Sequence, residues 1–131
     1  MFPVIGEVVI RNVVVEESCE LTSGADGAIL VGYIGSAETT GKLKGSILFE
    51  NCEVSGKIVS NYIPIGGYTS AYGPVGGLIG FTCRADYVNI TIRDCTVNGT
   101  IDGQTIVGAA IGNVQSLTSL KFEGKKLLLR C

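Results

Sequence analysis

A short two-part phrase is repeated along this chain, and this repetition constrains the fold more than any other feature. Its first half occurs at residues 10–15, 49–54 and 92–97, and in a weaker form at 122–127. Its glycine-rich second half occurs at 30–35, 75–80 and 107–112. A unit this short buries its apolar face only by stacking on its neighbours. The repetition predicts a single domain over residues 1–131, with units at about 8–46, 47–89 and 90–119 and a partial unit at 120–131.

Alternating apolar residues predict the path of the chain within each unit. The equivalent sets are Val8, Ile10, Val13 and Val15; Ile47, Phe49, Cys52 and Val54; Ile90, Ile92, Cys95 and Val97; and Leu120, Phe122, Lys125 and Leu127. Each set contains one step of three residues, which carries Asn12, Asn51, Asp94 or Gly124. We interpret these as corner residues, because Asn, Asp and Gly tolerate left-handed geometry and Asn and Asp side chains can bond the backbone. The strand after the corner is expected to reach Cys19, Ile58, Ile101 and Cys131.

The glycine-rich half reads as a third short strand, so the fold is predicted to be all-β, a parallel right-handed β-helix of three to four coils. Successive coils would be hydrogen-bonded about 4.8 Å apart. An antiparallel sandwich or barrel would explain the spacing of the turns, but not why the phrases recur in one order. Additional residues at Ser36–Gly45 and Val59–Pro74 are predicted to form loops at the side of the stack.

Composition limits the environments in which such a chain can work. The mean hydropathy is +0.41, yet no apolar run reaches the roughly 18 residues that a membrane span needs. With 10 basic and 12 acidic residues and no basic block, nucleic acids and anionic membranes are poor partners. The first residues lack the basic and apolar regions of a signal peptide, which indicates a cytosolic protein or a trimmed precursor.

Two phrases resemble the GLUG repeat, namely Gly77-Leu78-Ile79-Gly80 and the segment 52–58, and residues 95–101 fit equally well. The first copy departs from that repeat at Val31 and Tyr33, and the fourth lacks the glycine-rich half. GLUG repeats occur in bacterial surface adhesins, in the stalks of IgA-cleaving metallopeptidases and in protist repeat proteins. The resemblance implies a spacer or binding surface at the cell surface or in a secreted protein, with no shared active site. A cytoplasmic location stays open.

Catalytic chemistry has few candidate residues in this chain. Histidine is absent, which removes the commonest general base and metal ligand. A β-helix enzyme would need clustered carboxylates, for which the candidates are Asp26, Asp86, Asp94 and Asp102 with Arg84 and Arg93 as partners. The five cysteines form no Cys-x-x-Cys pair, and Cys52 and Cys95 share one slot, so we expect stacked buried thiols. We therefore expect no catalytic residue, no metal and no cofactor.

Two segments are candidate interaction surfaces. Tyr62, Tyr68 and Tyr72 lie together in the 59–74 insertion, and tyrosine suits recognition at a low entropic cost, so this loop could hold a glycan or protein ligand or fold back over a sheet. Leu127, Leu128 and Leu129 occupy a strand slot part-way through a repeat. An unfinished coil would expose strand edges and apolar core, which predicts self-association through the ends of the solenoid.

These observations predict a non-enzymatic structural or adhesive β-solenoid module. It would be either a piece of a longer surface stalk or a small subunit that assembles end to end into oligomers or filaments. The alternative is a carbohydrate-binding or carbohydrate-active β-helix domain.

Overall fold

The computed structural model describes residues 5–35, 44–61, 73–83, 85–103, 106–124 and 128–129, and their regular structure is entirely β-strand. The first coil contains β1 (Ile5–Arg11), β2 (Val14–Val15), β3 (Glu20–Ser23), β4 (Gly27–Ala28) and β5 (Val31–Gly35). The second contains β6 (Lys44–Glu50), β7 (Glu53–Val54), β8 (Lys57–Ser60), β9 (Val75–Gly76) and β10 (Ile79–Cys83). The third contains β11 (Ala85–Arg93), β12 (Thr96–Val97), β13 (Thr100–Asp102), β14 (Val107–Gly108) and β15 (Ile111–Val114). A partial fourth coil contains β16 (Leu117–Glu123) and β17 (Leu128–Leu129).

Every strand pairs in parallel with the strand five places along the chain, which confirms the predicted parallel solenoid. The strands form five sheets: sheet A (β1-β6-β11-β16), sheet B (β2-β7-β12-β17), sheet C (β3-β8-β13), sheet D (β4-β9-β14) and sheet E (β5-β10-β15). The predicted ladders are in register, since Val8 aligns with Ile47 and Ile47 aligns with Ile90. Ile10, Phe49, Ile92 and Phe122 form the adjacent ladder.

The predicted corner residues adopt left-handed backbone geometry. The φ angles are 56° at Asn12, 52° at Asn51, 50° at Asp94 and 97° at Gly124. Asn and Asp tolerate this region better than most residues, which explains why these types stand at the corner. The Asn51 side chain was expected to bond the backbone, but its Nδ2 donates to Asn12 Oδ1 at 2.8 Å. The corner therefore joins neighbouring coils as well as turning the chain.

Three details differ from the sequence prediction. Each complete coil has five strands and not three, because a break at residues 55–56 and its equivalents divides the strand after the corner, and a bend at residues 77–78 and its equivalents divides the glycine-rich half. Ile58 aligns with Leu21 and not with Cys19, because a longer turn follows β2 and leaves Cys19 exposed. The predicted side loops are wrong at Lys44 and Gly45, which belong to β6, and at Val59 and Ser60, which belong to β8, while residues 36–43 and 62–72 lie outside the described residues.

The core is the stack of inward side chains of the two middle coils. Phe49, Ile90, Leu78, Ile79 and Val97 are fully buried. Burial of an aliphatic or aromatic side chain stabilises the fold by about 1.5–3 kcal/mol, so these ladders are its main source of stability.

Among the described residues, the buried hydroxyl groups of Ser60 and Thr82 interrupt this apolar interior. Thr82 is fully buried, and its Oγ1 has no hydrogen-bond partner in the described part of the structure. Its ladder neighbours on sheet E are Ile34 and Val114, so the slot is otherwise apolar. We expect Thr82→Val to raise the free energy of unfolding by about 1 kcal/mol, because the isosteric change removes an uncompensated polar group. Urea denaturation would measure this, and a loss of stability would mean that the hydroxyl has a partner in solution.

Candidate functional site: the end faces and the outer groove of sheet B

The first coil leaves part of the solenoid core open. Val8 is 50% exposed, although its ladder partner Ile90 is fully buried two coils away. Leu21 is 42% exposed, whereas Ile58 beneath it is 2% exposed. The same inward slot thus changes from buried to exposed only because no described strand stacks above it. We call the surface formed by the first coil the N-terminal end face.

The opposite end of the stack shows the same change. Phe122 is 47% exposed, while Phe49 in the same ladder is fully buried. Val107 is also 47% exposed, and its partner Val75 is fully buried. We call this the C-terminal end face. Both faces combine apolar side chains with the unpaired backbone of edge strands, which is the composition of a surface that accepts another strand.

A small hollow lies at the N-terminal end face. It has a volume of about 100 Å³ and is lined by Gly6, Val8, Lys44, Gly45, Ser46, Ile47 and Val88. The lining is almost entirely apolar because glycines occupy positions beside Val88 in the neighbouring coils. The hollow therefore adds mainly apolar surface to this face.

A row of alternating charges runs along the outer surface of sheet A. Arg11, Glu50, Arg93 and Glu123 are aligned in successive coils. The Arg93 guanidinium lies 2.9 Å from Glu50 Oε1 and 2.9 Å from Glu123 Oε2. Hydrogen bonds that Arg93 donates to Glu123, and then to Glu50, raise the pKa of Arg93. The aligned charges thus form ion pairs from Glu50 to Glu123, whereas Arg11 forms no ion pair with any described residue.

The predicted thiol ladder is present. Cys52 is 2% exposed and Cys95 is fully buried, and both thiols are free. They occupy adjacent coils, since the Thr96 N–H donates to the Cys52 carbonyl at 2.8 Å. Burial raises the pKa of the Cys95 thiol, which keeps it protonated and poorly nucleophilic. The two thiols therefore pack in the core as small apolar side chains would.

We expect Cys52 and Cys95 to react slowly with a thiol reagent at pH 8, and Cys19 to react rapidly. Cys19 is exposed, whereas the two ladder thiols are buried and Cys95 has a raised pKa. Mass spectrometry after timed labelling would resolve the sites, with labelling in denaturant as the control. The packing role predicts that Cys52→Val changes stability by less than about 1.5 kcal/mol. Equal labelling rates at all three thiols in the native protein would contradict this role.

A polar groove follows the outer surface of sheet B between two corners. One part has a volume of about 290 Å³ and is lined by Asn12, Val14, Asn51, Cys52, Glu53, Asp94 and Thr96. The other has a volume of about 410 Å³ and is lined by Val14, Val15, Glu16, Glu17, Glu53, Ser55 and Asn98. These amide, carboxylate and hydroxyl groups could bind sugar hydroxyls. Sequence reasoning missed Glu16, Glu17 and Glu53, although Glu16 and Glu53 stand next to the inward residues Val15 and Val54, so the alternation could have placed these two on the outer side.

The candidate carboxylates do not gather in one place. Asp94 lines the sheet B groove, Asp86 lies on β11 of sheet A, and Asp102 ends β13 of sheet C. Asp26 precedes β4, and its Oδ1 accepts the Gly73 N–H at 3.2 Å. The structure therefore places Asp94 with Glu53 rather than with the other three aspartates. Arg84 lies outside the described residues.

The predicted interaction residues are only partly described. Tyr62, Tyr68, Tyr72 and Leu127 lie outside the described residues. Leu128 and Leu129 form β17, which pairs in parallel with Thr96–Val97 of β12. A strand is present here as predicted, but its predicted register is wrong, since Leu129 and not Leu127 aligns with Val97. The reason is that Leu129 lies seven residues after Phe122, whereas their ladder partners Ile92 and Val97 are five residues apart.

Within the described ranges, no group of three or more His, Cys, Asp or Glu residues could hold a metal ion. The same ranges contain no helix with the length and apolarity that a membrane crossing requires. Comparison of the chain with protein-family models, curated proteins and solved structures found no match. The resemblance to GLUG repeats therefore rests on the quoted phrases alone.

Proposed function

We propose that this chain is a non-enzymatic structural or adhesive β-solenoid module that associates through its end faces. The observation that carries this proposal is the exposure of core ladders at both ends of the stack. Val8 and Phe122 are about half exposed in slots that are fully buried in the middle coils. A protein surface normally keeps such continuous apolar ladders covered.

Strand addition is the mechanism that fits these faces. β1 and β16 are seven-residue edge strands of sheet A, and each has a single neighbour in the described structure. A strand laid along either edge would satisfy its free N–H and C=O groups and cover the inward ladder behind it. The affinity would come from the backbone and the apolar ladders, while the outward side chains would select the partner.

We expect the mass measured by light scattering to rise above the 13.7 kDa of one chain as the protein concentration increases. Val8→Glu should shift this association to higher concentration, because it places a charge on the N-terminal end face. Val14→Glu is the matched control, since Val14 is 65% exposed but lines the outer groove of sheet B. A wild-type protein that stays monomeric at millimolar concentration would contradict the proposal.

Carbohydrate binding is the second candidate function, and the sheet B groove is the observation that favours it. Asn51, Glu53 and Thr96 lie side by side there and offer both donors and acceptors. Titration with a panel of oligosaccharides, followed by amide chemical shifts, would test this function. Shifts confined to the groove and abolished by Glu53→Ala would support it, whereas an unchanged spectrum would exclude it for the sugars tried.

A further inference from the structure

The outer side of β1 carries a symmetric arrangement of charges. Glu7, Val9 and Arg11 alternate with Val8 and Ile10, whose ladders run along the core. Glu7 and Arg11 are exposed, and Val9 between them is 48% exposed. Opposite charges therefore lie two residues before and two residues after the exposed Val9.

Neither of these charges is neutralised within the described part of the chain. The ion pairs found there join Arg93 to Glu50 and Glu123. Glu50, the neighbour of Arg11 in register, is thus already bonded to Arg93. Glu7 aligns with Ser46, which carries no charge. An edge strand that presents an unpaired anion and an unpaired cation is complementary to an antiparallel copy of itself.

We propose that two copies of this chain meet through their N-terminal end faces, with β1 paired antiparallel to β1 of the second copy about a twofold axis at Val9. This inference rests on the proposed function and specifies its partner and orientation. In this register Glu7 of each copy stands opposite Arg11 of the other. Val9 stands opposite Val9, and Val8 opposite Ile10, so apolar residues meet apolar residues. Opposite charges and β-branched pairs across strands both stabilise pairing, and twofold contacts are the commonest symmetric contacts.

The shape of the two ends also favours this orientation. At the N-terminal end face all five sheets begin with a strand of the first coil, from β1 to β5. At the C-terminal end face, sheets A and B contain a fourth described strand, whereas sheets C, D and E contain three. Among the described strands, a contact of β16 on β1 would therefore bring layers of unequal strand number together, whereas two first coils present the same set of strands.

Charge reversal tests the register in the full chain. Glu7→Arg alone should raise the dissociation constant of the dimer by at least about tenfold, because both ion pairs across the axis become repulsive. Arg11→Glu alone should do the same. The double variant Glu7→Arg/Arg11→Glu should regain association to within about threefold, since it exchanges the two charges. An equimolar mixture of the two single variants should form heterodimers, because one copy then carries two arginines and the other two glutamates.

Control variants separate this contact from a head-to-tail contact. In the head-to-tail register Glu7 would face Ser119, while Arg11 would face Glu123 of the next copy. Glu123→Arg and Lys121→Glu should therefore leave the N-terminal dimer unchanged. Thermal unfolding by circular dichroism would confirm that each variant is folded, which matters for Arg11→Glu because it also faces Glu50.

The outcomes distinguish the inference from the function on which it rests. Dissociation by Glu7→Arg and recovery in the double variant, measured by sedimentation velocity, would support the twofold contact. Association that is indifferent to Glu7→Arg but lost with Glu123→Arg would overturn it and leave end-to-end association standing. A wild-type chain that is monomeric at every concentration would contradict both the twofold contact and the proposed association through the end faces.

Discussion

Replacing Phe49 with alanine should lower the free energy of unfolding by about 3–5 kcal/mol, which is the usual cost of truncating a fully buried phenylalanine. Phe49 lies in the second coil and has no exposed surface. Its neighbours in register are Ile10 above and Ile92 below. Both neighbours are held by their own sheet hydrogen bonds, so they cannot collapse fully into the space that the ring leaves.

Phe122 provides the matched control in the same ladder. It aligns with Ile92 on the other side but is 47% exposed at the C-terminal end face. Removing a half-exposed ring loses roughly half the transfer free energy and leaves no closed cavity, so we expect a loss of about 1–2 kcal/mol. Urea denaturation curves, fitted with one m-value for both variants, would give both losses in the free energy of unfolding. Equal losses would mean that Phe122 is covered in solution, which is what association through this end face predicts at high concentration.

The comparison of these two residues also indicates what a repeat sequence can and cannot predict. The alternation predicts that both side chains point inward, and the structure confirms it. Burial depends on how many coils lie on either side, which is a property of the stack and not of the repeat. A sequence pattern therefore locates a ladder, while its exposed members become apparent only when the coils are assembled.

The corners were predictable because they depend on local chemistry. Asn12, Asn51 and Asp94 all adopt a positive φ, as their residue types and the three-residue step indicate. The alignment of Arg93 between two glutamates was predictable for the same reason, since a fixed register brings equivalent positions together. The hydrogen bond from Asn51 to Asn12 was not predictable, because local propensity favours a bond to the backbone, whereas the stacked coil offers a competing acceptor.

The turn after β2 shows where the repeat pattern fails. Counting four residues onward from Val15 predicts that Cys19 shares a slot with Ile58, but Leu21 occupies that slot. The first coil accommodates a longer turn at 16–19, and register is recovered because Leu21 is apolar and Cys19 is left exposed. Turn length is weakly encoded by composition, whereas the requirement to bury an apolar side chain is strong. Glu16 and Glu17 lie at this turn, and their place in the groove was not predicted because the length of the turn was not.

Replacing Gly80 with alanine should lower the free energy of unfolding by about 3 kcal/mol or more, through steric overlap with backbone. A Cβ at this position would lie 2.4 Å from the carbonyl oxygen of Gly27 and 2.4 Å from that of Gly32. Both oxygens belong to the first coil, and β10 is hydrogen-bonded to β5 of that coil along its length. The clash cannot be relieved by rotating a side chain, so the two coils would have to separate.

Gly6→Ala is the control for this substitution, because Gly6 also lies in a strand and a Cβ there would meet nothing within 4 Å. Reducing the entropy of the unfolded chain should make this variant neutral or more stable by about 0.4–1 kcal/mol. The pair separates the general cost of replacing glycine from the specific cost of close coil contact. A tolerated Gly80→Ala would mean that the coils are further apart than the structure places them. A destabilised Gly80→Ala would instead explain the glycine that closes each glycine-rich half. A Cβ at Gly112 would lie 2.5 Å from the Gly80 carbonyl oxygen, so at both positions neighbouring coils approach too closely for any side chain.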